Sequence, residues 1–229
     1  MVVRVKAPVR DRRTRCHRAP PPPNRVWLYA LDMPGFGSNH SQRVLIVAVT
    51  ALALILSIAG CASTGASFSP NGPCLADGRQ AGAYPDLEGR LPRQFEGKAP
   101  DRLDSGRNCS DANLDTLKAH GVRELRFAGG LWQLAPETGV TMAVFSAPGL
   151  QADWLGEFYE AGARAASKVS NLTVSHPTVR GSAAVRMDYR DGQSPQTIVV
   201  WSAGPDIVHV VLTAGLPDRL VQEAINSFS

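Results

Sequence analysis

The amino-acid sequence predicts an α+β domain in two layers, an antiparallel sheet with helices on one face. Several segments in the second half of the chain alternate apolar and polar residues, as half-buried strands do. Two of these segments are joined at Asp191-Gly192, a common hairpin signal. Two further segments, 151–168 and LPDRLVQEAINSF, carry apolar stripes at helical spacing. Strands that follow one another directly along the chain pair antiparallel, which leaves the helices to cover the sheet.

The first half of the domain, which we expect to span residues 84–229, contains a short helix and two strands. Ser110 is placed to cap the helix DANLDTLKAH, and Gly121 to end it. The two strands that follow are predicted in ELRFAGGLWQL (124–134) and VTMAVFSAP (140–148).

The second half is predicted to contain a long helix, four strands and a closing helix. In the long helix, Trp154, Leu155 and Phe158 lie on one apolar stripe. Val185 and Met187 then alternate with polar neighbours, which marks a change to the strand period. The four strands are expected in NLTVSHPTV, SAAVRMDYR, QTIVVWSA and DIVHVVLTA.

The N-terminal part of the chain has the layout of a bacterial lipoprotein signal peptide. Arg43 precedes sixteen uncharged residues (44–59), a run shorter than the about 20 residues that a membrane-spanning helix needs. Ile58-Ala59-Gly60-Cys61 resembles the lipobox, in which the cysteine thiol accepts diacylglycerol after cleavage. We therefore predict a signal peptide over 33–60, lipid on Cys61, and anchoring on the extracytoplasmic side of the cell membrane. The alternative is an uncleaved anchor in which Cys61 has no role.

Residues 1–32 do not fit a signal peptide, because a basic and proline-rich stretch stands far ahead of the apolar run. Translation from Met33 would give a leader of ordinary layout. A cytoplasmic tail is the other interpretation of residues 1–32.

The charge balance of the exported part excludes a nucleic-acid-binding role. Residues 1–60 hold nine of the 24 basic groups and two of the 20 acidic groups of the chain. Residues 61–229 therefore carry 15 basic and 18 acidic groups, a net charge of −3. A mildly acidic domain without a Lys/Arg cluster lacks the electrostatic footprint of a nucleic-acid-binding protein.

Residues 61–83 are rich in Ser, Gly, Ala and Pro, a composition that predicts a lipidated flexible tether ahead of the domain. The tether contains Cys74, and Cys109 is the remaining cysteine of the exported part. Two cysteines outside the cytoplasm favour one disulfide. A metal pair or a redox pair are the other interpretations, although the sequence contains no Cys-x-x-Cys.

Three segments near the end of the chain resemble the closing half of PsbP-like domains, including those of LpqN-type lipoproteins. They are VRGSAAVRMDYRDG, TIVVWSAGPDIVHVVLTA and LPDRLVQEAINSF, a strand meander followed by a short helix. YPDLEGRLPRQFEGK also resembles the opening of other exported bacterial domains. The resemblance implies a PsbP-like two-layer sandwich and no catalytic residues, and a fold alone does not define a function.

The exported part shows no constellation that predicts catalysis, a metal or a cofactor. Its histidines, His120, His176 and His209, are scattered, and no Gly-x-Ser-x-Gly motif is present. We expect His209 to lie in a strand, on the same face as Ile207 and Val211, as a satisfied or partly exposed residue.

Trp132 and Trp201 are the candidate partner-binding residues. If helices cover only one face of the sheet, these indoles could form an exposed aromatic patch for a partner. Packing against the N-terminal segment is the other interpretation.

The sequence thus predicts a non-catalytic binding or accessory domain held at the membrane by lipid on Cys61, with an unknown envelope protein or apolar ligand as its partner. Carriage of an apolar ligand or lipid is the first alternative, and an envelope enzyme is the second. A buried apolar cavity would favour the carrier, a flat apolar patch the binding module, and titratable groups that converge in a cleft the enzyme.

Overall fold

A computed structural model of the chain describes residues 67–228, and these residues form one nine-stranded sheet in which all pairings are antiparallel. The strand order is β1-β2-β3-β4-β9-β8-β7-β5, and the short β6 pairs with β7. The strands are β1 Gly78–Gln80, β2 Arg102–Asn108, β3 Leu125–Ala135, β4 Thr138–Ser146, β5 Val169–Ser175, β6 Thr178–Val179, β7 Ser182–Asp191, β8 Ser194–Gly204 and β9 Ile207–Ala214. The helices are α1 Pro85–Glu88, α2 Asp111–Leu114, a 3-10 helix Asp115–His120, α3 Ala152–Ala165 and α4 Asp218–Ser227.

The predicted α+β class is confirmed, and so are the predicted strands from β3 onward, except that the single strand expected in NLTVSHPTV is divided into β5 and β6 at His176-Pro177. The turn at Asp191-Gly192 joins β7 to β8, with Asp191 opposite Ser194. Both amphipathic helices form, and Ser110 caps α2 by accepting a hydrogen bond from the backbone N–H of Asn113. The sequence did not predict β1 and β2, which extend the sheet beyond β3.

The helices cover both faces of the sheet, so the predicted placement on one face is wrong. Val199 and Trp201 of β8 belong to a buried cluster with α4, and we call this side of the sheet the α4 face. Ile198 and Val200, the alternate residues of the same strand, belong to a second cluster with α3 and the 3-10 helix. The reason is that β8 and β9 carry continuous apolar runs, which need cover on both sides.

Close packing on the second face depends on one helix glycine. A Cβ atom added at Gly156 of α3 would lie 2.7 Å from the Val185 side chain on β7. The missing side chain lets the helix approach the strand while Leu155 and Phe158 fill the space beside it.

The N-terminal segment folds onto the domain from residue 67, which corrects the predicted flexible tether over its described part. Arg107 of β2 is 2% exposed, and its guanidinium donates hydrogen bonds to the backbone carbonyls of Ser69, Gly72 and Pro73 at 2.9, 2.8 and 2.6 Å. The ring of Phe68 packs beneath the same guanidinium, 5.8 Å from its central carbon. The domain boundary that we placed at residue 84 is therefore too late.

Cys74 and Cys109 lie at disulfide distance, as predicted, with their Cα atoms 5.6 Å apart. In the chain-entropy model, a bridge that closes a loop of 35 residues stabilises a fold by about 3–4 kcal/mol. Asp77 fixes the same junction, because its carboxylate accepts the backbone N–H groups of Cys109 and Ser110 and the side-chain amide of Asn113.

The predicted extension 1–32, the signal peptide 33–60 and the lipidation site Cys61 lie outside the described residues. Within residues 67–228, no helix is long and apolar enough to cross a membrane.

The carbonyl contacts of Arg107 predict that Arg107→Met destabilises the domain strongly. Hydrogen bonds to a charged group contribute about 1.5–3 kcal/mol each, so we expect the free energy of unfolding to fall by about 3 kcal/mol or more. Arg164→Met is the matched control, because Arg164 is 62% exposed and pairs with Glu160 along its own helix. Its effect should stay below about 1 kcal/mol. Urea unfolding of both variants measures the difference, and equal losses would contradict the role given to Arg107.

Candidate functional site

An open cleft of about 600 Å³ lies at one end of the sheet, where β7, β8 and β9 meet the loop that follows α1. Two arginines stand on its walls. Arg90 comes from that loop and Arg180 from the tight turn between β6 and β7. The remaining lining residues come from β7, β8 and β9, and they are Ser182, Trp201, Ser202, Ala203, Gly204 and His209.

Three rings form the buried floor beside this cleft. Trp201 and His209 face each other across the β8–β9 pair, with their ring centroids 5.5 Å apart and their planes perpendicular. The ring of Phe228, directly after α4, stacks on the imidazole at 4.3 Å and meets the indole edge at 5.3 Å. His209 is consequently only 6% exposed.

The imidazole of His209 is buried without a full set of hydrogen bonds. Its Nε2 atom has no hydrogen-bond partner among the described residues. Burial, together with the positive charges of Arg180 and Arg90, lowers the pKa of His209 from 6.5 to about 4. His209 is therefore neutral at neutral pH. Our expectation that it would be satisfied or partly exposed is wrong, whereas its strand position and its face are as predicted.

Arg180 occupies a backbone conformation that few side chains adopt. Val179 pairs with Ser182, so Arg180 and Gly181 form a two-residue hairpin turn, with φ values of 49° and 81°. Such turns need positive φ at both central positions and favour Asn or Gly there. The Arg180 guanidinium donates to the backbone carbonyl of Phe228 and, at 3.5 Å, to that of Ile225. These bonds tie the turn to the end of α4.

Both candidate tryptophans are buried, so they do not form the exposed aromatic patch that we considered. Trp201 is 1% exposed and lies at the floor of the cleft. Trp132 is fully buried elsewhere, and its indole N–H donates to the carbonyl of Lys98 at 3.0 Å. Trp132 thus packs against the segment that precedes β2, as in our other interpretation. Neither Cys74 nor Cys109 lines the cleft.

Sequence reasoning missed both arginines of the cleft. The one local signal was Arg180-Gly181, an arginine at the first position of a turn where Asn or Asp is usual. Nothing in the sequence around Arg90 distinguishes it from Arg93, which is exposed and does not line the cleft.

Within residues 67–228, no group of three or more His, Cys, Asp and Glu side chains is arranged to hold a metal ion.

Searches against protein-family models, curated proteins and solved structures found no match to this chain.

The lowered pKa of His209 predicts a specific pH dependence of stability. The unfolded chain binds a proton at this residue below about pH 6.5, whereas the folded protein does so only below about 4. The stability that the neutral imidazole provides is complete above pH 6.5. It is lost as the pH falls from 6.5 to 4, by at most about 1.4 kcal/mol per pH unit for one site.

His209→Gln removes this titration, so its melting temperature should fall less between pH 7 and pH 4 than that of the wild type. Differential scanning calorimetry of both proteins across this range measures the difference. Parallel curves would show that His209 is not a neutral buried group.

Proposed function

We propose that this protein is an extracytoplasmic lipoprotein, anchored in the cell membrane by lipid on Cys61, whose folded domain binds a ligand in the cleft beside His209 without catalysing a reaction. The observation that carries the proposal is the Nε2 atom of His209, which is buried without a hydrogen-bond partner among residues 67–228 and belongs to a residue that lines an open cleft together with Arg90 and Arg180.

The unmade hydrogen bond of His209 is a reason to place a ligand here. A buried polar atom without a partner costs about 1–3 kcal/mol, and folded proteins keep few such atoms. The unpaired Nε2 atom belongs to His209, which lines the cleft and has a strongly lowered pKa. This combination is typical of binding and catalytic sites.

The same pKa favours binding over catalysis. A general base works best when its pKa lies near the operating pH, because it must accept a proton from the reacting group. With a pKa of about 4, His209 is a weak base at neutral pH. A neutral imidazole is better suited to form a hydrogen bond with a ligand.

The lining favours a polar ligand over the apolar one of the carrier alternative. Arg90, Arg180, Ser182 and Ser202 offer charged or hydroxyl groups to the cleft, while Trp201, which also lines it, is almost fully buried. A hydrocarbon chain would leave these polar groups without water or a partner.

Membrane anchoring rests on the lipobox at Ile58–Cys61 and on the apolar run before it. The finer fold assignment, a PsbP-like sandwich, is also part of the proposal. It is supported by the meander of β7, β8 and β9 and by the short helix α4 that ends the described chain.

Anchoring through Cys61 predicts that Cys61→Ala abolishes lipid labelling and leaves the precursor uncleaved, because the thiol is the acceptor of the lipid. Labelled palmitate and membrane fractionation in a bacterial host provide the measurement. Cys74→Ala is the matched control, and it should incorporate palmitate as the wild type does. Palmitate in the Cys61→Ala protein would overturn the lipoprotein assignment.

Binding in the cleft predicts that at least one polar metabolite raises the melting temperature of the full-length protein in detergent. A ligand at a hundredfold excess over its Kd stabilises a protein by about 2.7 kcal/mol, which corresponds to about 5–10 °C here. A panel of sugars, amino acids, organic acids and phosphate esters in a thermal-shift assay provides the test.

Ala203→Trp should abolish the shift, because Ala203 is an exposed residue of the cleft wall and the indole would fill the space. Ala112→Trp, at an exposed position of α2 outside the cleft, should leave it unchanged. A shift that survives Ala203→Trp would place binding elsewhere, and no shift with any compound would contradict the proposed function.

A further inference from the structure

The two arginines of the cleft carry positive charge that no acidic side chain offsets. No aspartate or glutamate occurs among the eight residues that line the cleft. Within residues 67–228, neither Arg90 nor Arg180 forms an ion pair, and the recorded partners of Arg180 are the neutral carbonyls of Ile225 and Phe228. By contrast, Arg102, Arg126, Arg164 and Arg186 each pair with a carboxylate.

The third titratable group of the cleft adds no charge of its own. His209 is neutral at neutral pH, partly because both guanidinium groups act on it. The cleft residues therefore contribute a charge of +2 beside a floor of aromatic rings. Low-dielectric walls strengthen the field in such a cleft and raise the local concentration of anions.

We propose that the cleft binds a phosphate group between Arg90 and Arg180. The inference rests on the proposed function, since it identifies the chemical class of the ligand for the same site.

Charge balance favours phosphate over a carboxylate. A phosphate monoester carries a charge of about −1.5 to −2 at neutral pH, and its three terminal oxygens are strong hydrogen-bond acceptors. It can neutralise both guanidinium groups, whereas one carboxylate neutralises only one of them. Guanidinium groups also match the geometry of phosphate oxygens, to which they donate two parallel hydrogen bonds.

The strained turn at Arg180 supports a role for its guanidinium. A residue other than Gly, Asn or Asp at φ 49° is unfavourable, and of the three such residues within 67–228 (Glu96, Glu137 and Arg180) Arg180 is the one that lines the cleft. An asparagine at this position would suit the turn better. This turn instead places a long cationic side chain at the cleft wall.

Isothermal titration of the full-length protein in neutral detergent at low salt tests the proposal, with inorganic phosphate and glycerol 3-phosphate as probes. We expect both to bind, and acetate to bind more weakly than either. Assigned imidazole signals of His209 should shift on addition of phosphate, which locates binding at the cleft.

Two variants remove one guanidinium each. Arg90→Gln changes an exposed loop residue, and Arg180→Asn introduces a residue that favours the turn. Each should raise the Kd for phosphate about tenfold or more, because a charge-assisted hydrogen bond is lost. Arg93→Gln removes the same charge three residues from Arg90, outside the cleft, and should change the Kd less than about twofold.

The source of the phosphate group is decided by a second titration, with short-chain phosphatidylglycerol below its micelle concentration. Tighter binding of this lipid than of glycerol 3-phosphate would identify a membrane headgroup as the ligand, and the reverse order would identify a soluble phosphate ester. Both results support the phosphate site.

Three outcomes overturn the inference: no phosphate binding by any probe, equal effects of Arg90→Gln and Arg93→Gln, or stronger binding of acetate than of phosphate. A different result would affect only the ligand class. If no phosphate probe binds, but an uncharged metabolite binds and Ala203→Trp abolishes that binding, the proposed function stands and the ligand is not a phosphate.

Discussion

The architecture depends on one constraint, which is that β8 and β9 carry apolar side chains on both faces of the sheet. Ile198 and Val200 need cover on one side, and Val199 and Trp201 on the other. Helix α3 supplies the first cover and α4 the second. Phe228 directly follows α4, and its ring stacks on His209, a residue that lines the cleft. The candidate site thus lies at the edge of the core and shares aromatic residues with it.

Periodicity in the sequence was sufficient to predict the α+β class, the two amphipathic helices and the strands from β3 to β9, apart from the division of one predicted strand into β5 and β6. It failed for the number of sheet faces that helices cover. The alternation in SAAVRMDYR indicates one buried face, whereas the continuous apolar run IVVW in β8 needs cover on both faces. It also failed for residues 67–83, whose order depends on the guanidinium of Arg107 more than thirty residues away. Composition reports the lack of an apolar pattern, but it does not reveal a distant cation that binds backbone carbonyls.

The cleft was beyond local sequence reasoning for the same reason. Arg90, Arg180 and His209 are spread over more than a hundred positions, and they meet only because β7, β8 and β9 pair beside the loop after α1. Two of them are locally unfavourable: His209 is buried without a partner at Nε2 among residues 67–228, and Arg180 has a left-handed backbone. Buried unpaired atoms and left-handed residues also occur elsewhere in these residues, but here they coincide on the lining of one cleft, which supports the proposed binding role.

The attachment of residues 67–83 to the sheet changes how far the domain could travel from a lipid on Cys61. Had the whole stretch to residue 83 been flexible, the domain could have ranged widely above the bilayer. With Phe68 packed against the core, six residues separate it from Cys61, the proposed lipid site, and the chain between the two can extend to about 25 Å at most. If lipid on Cys61 anchors the protein as proposed, the domain would sample a thin layer of solvent over the membrane and would encounter ligands mainly by lateral diffusion. Its cleft would therefore encounter molecules that are released, tethered or concentrated at the lipid surface more often than molecules in bulk solution.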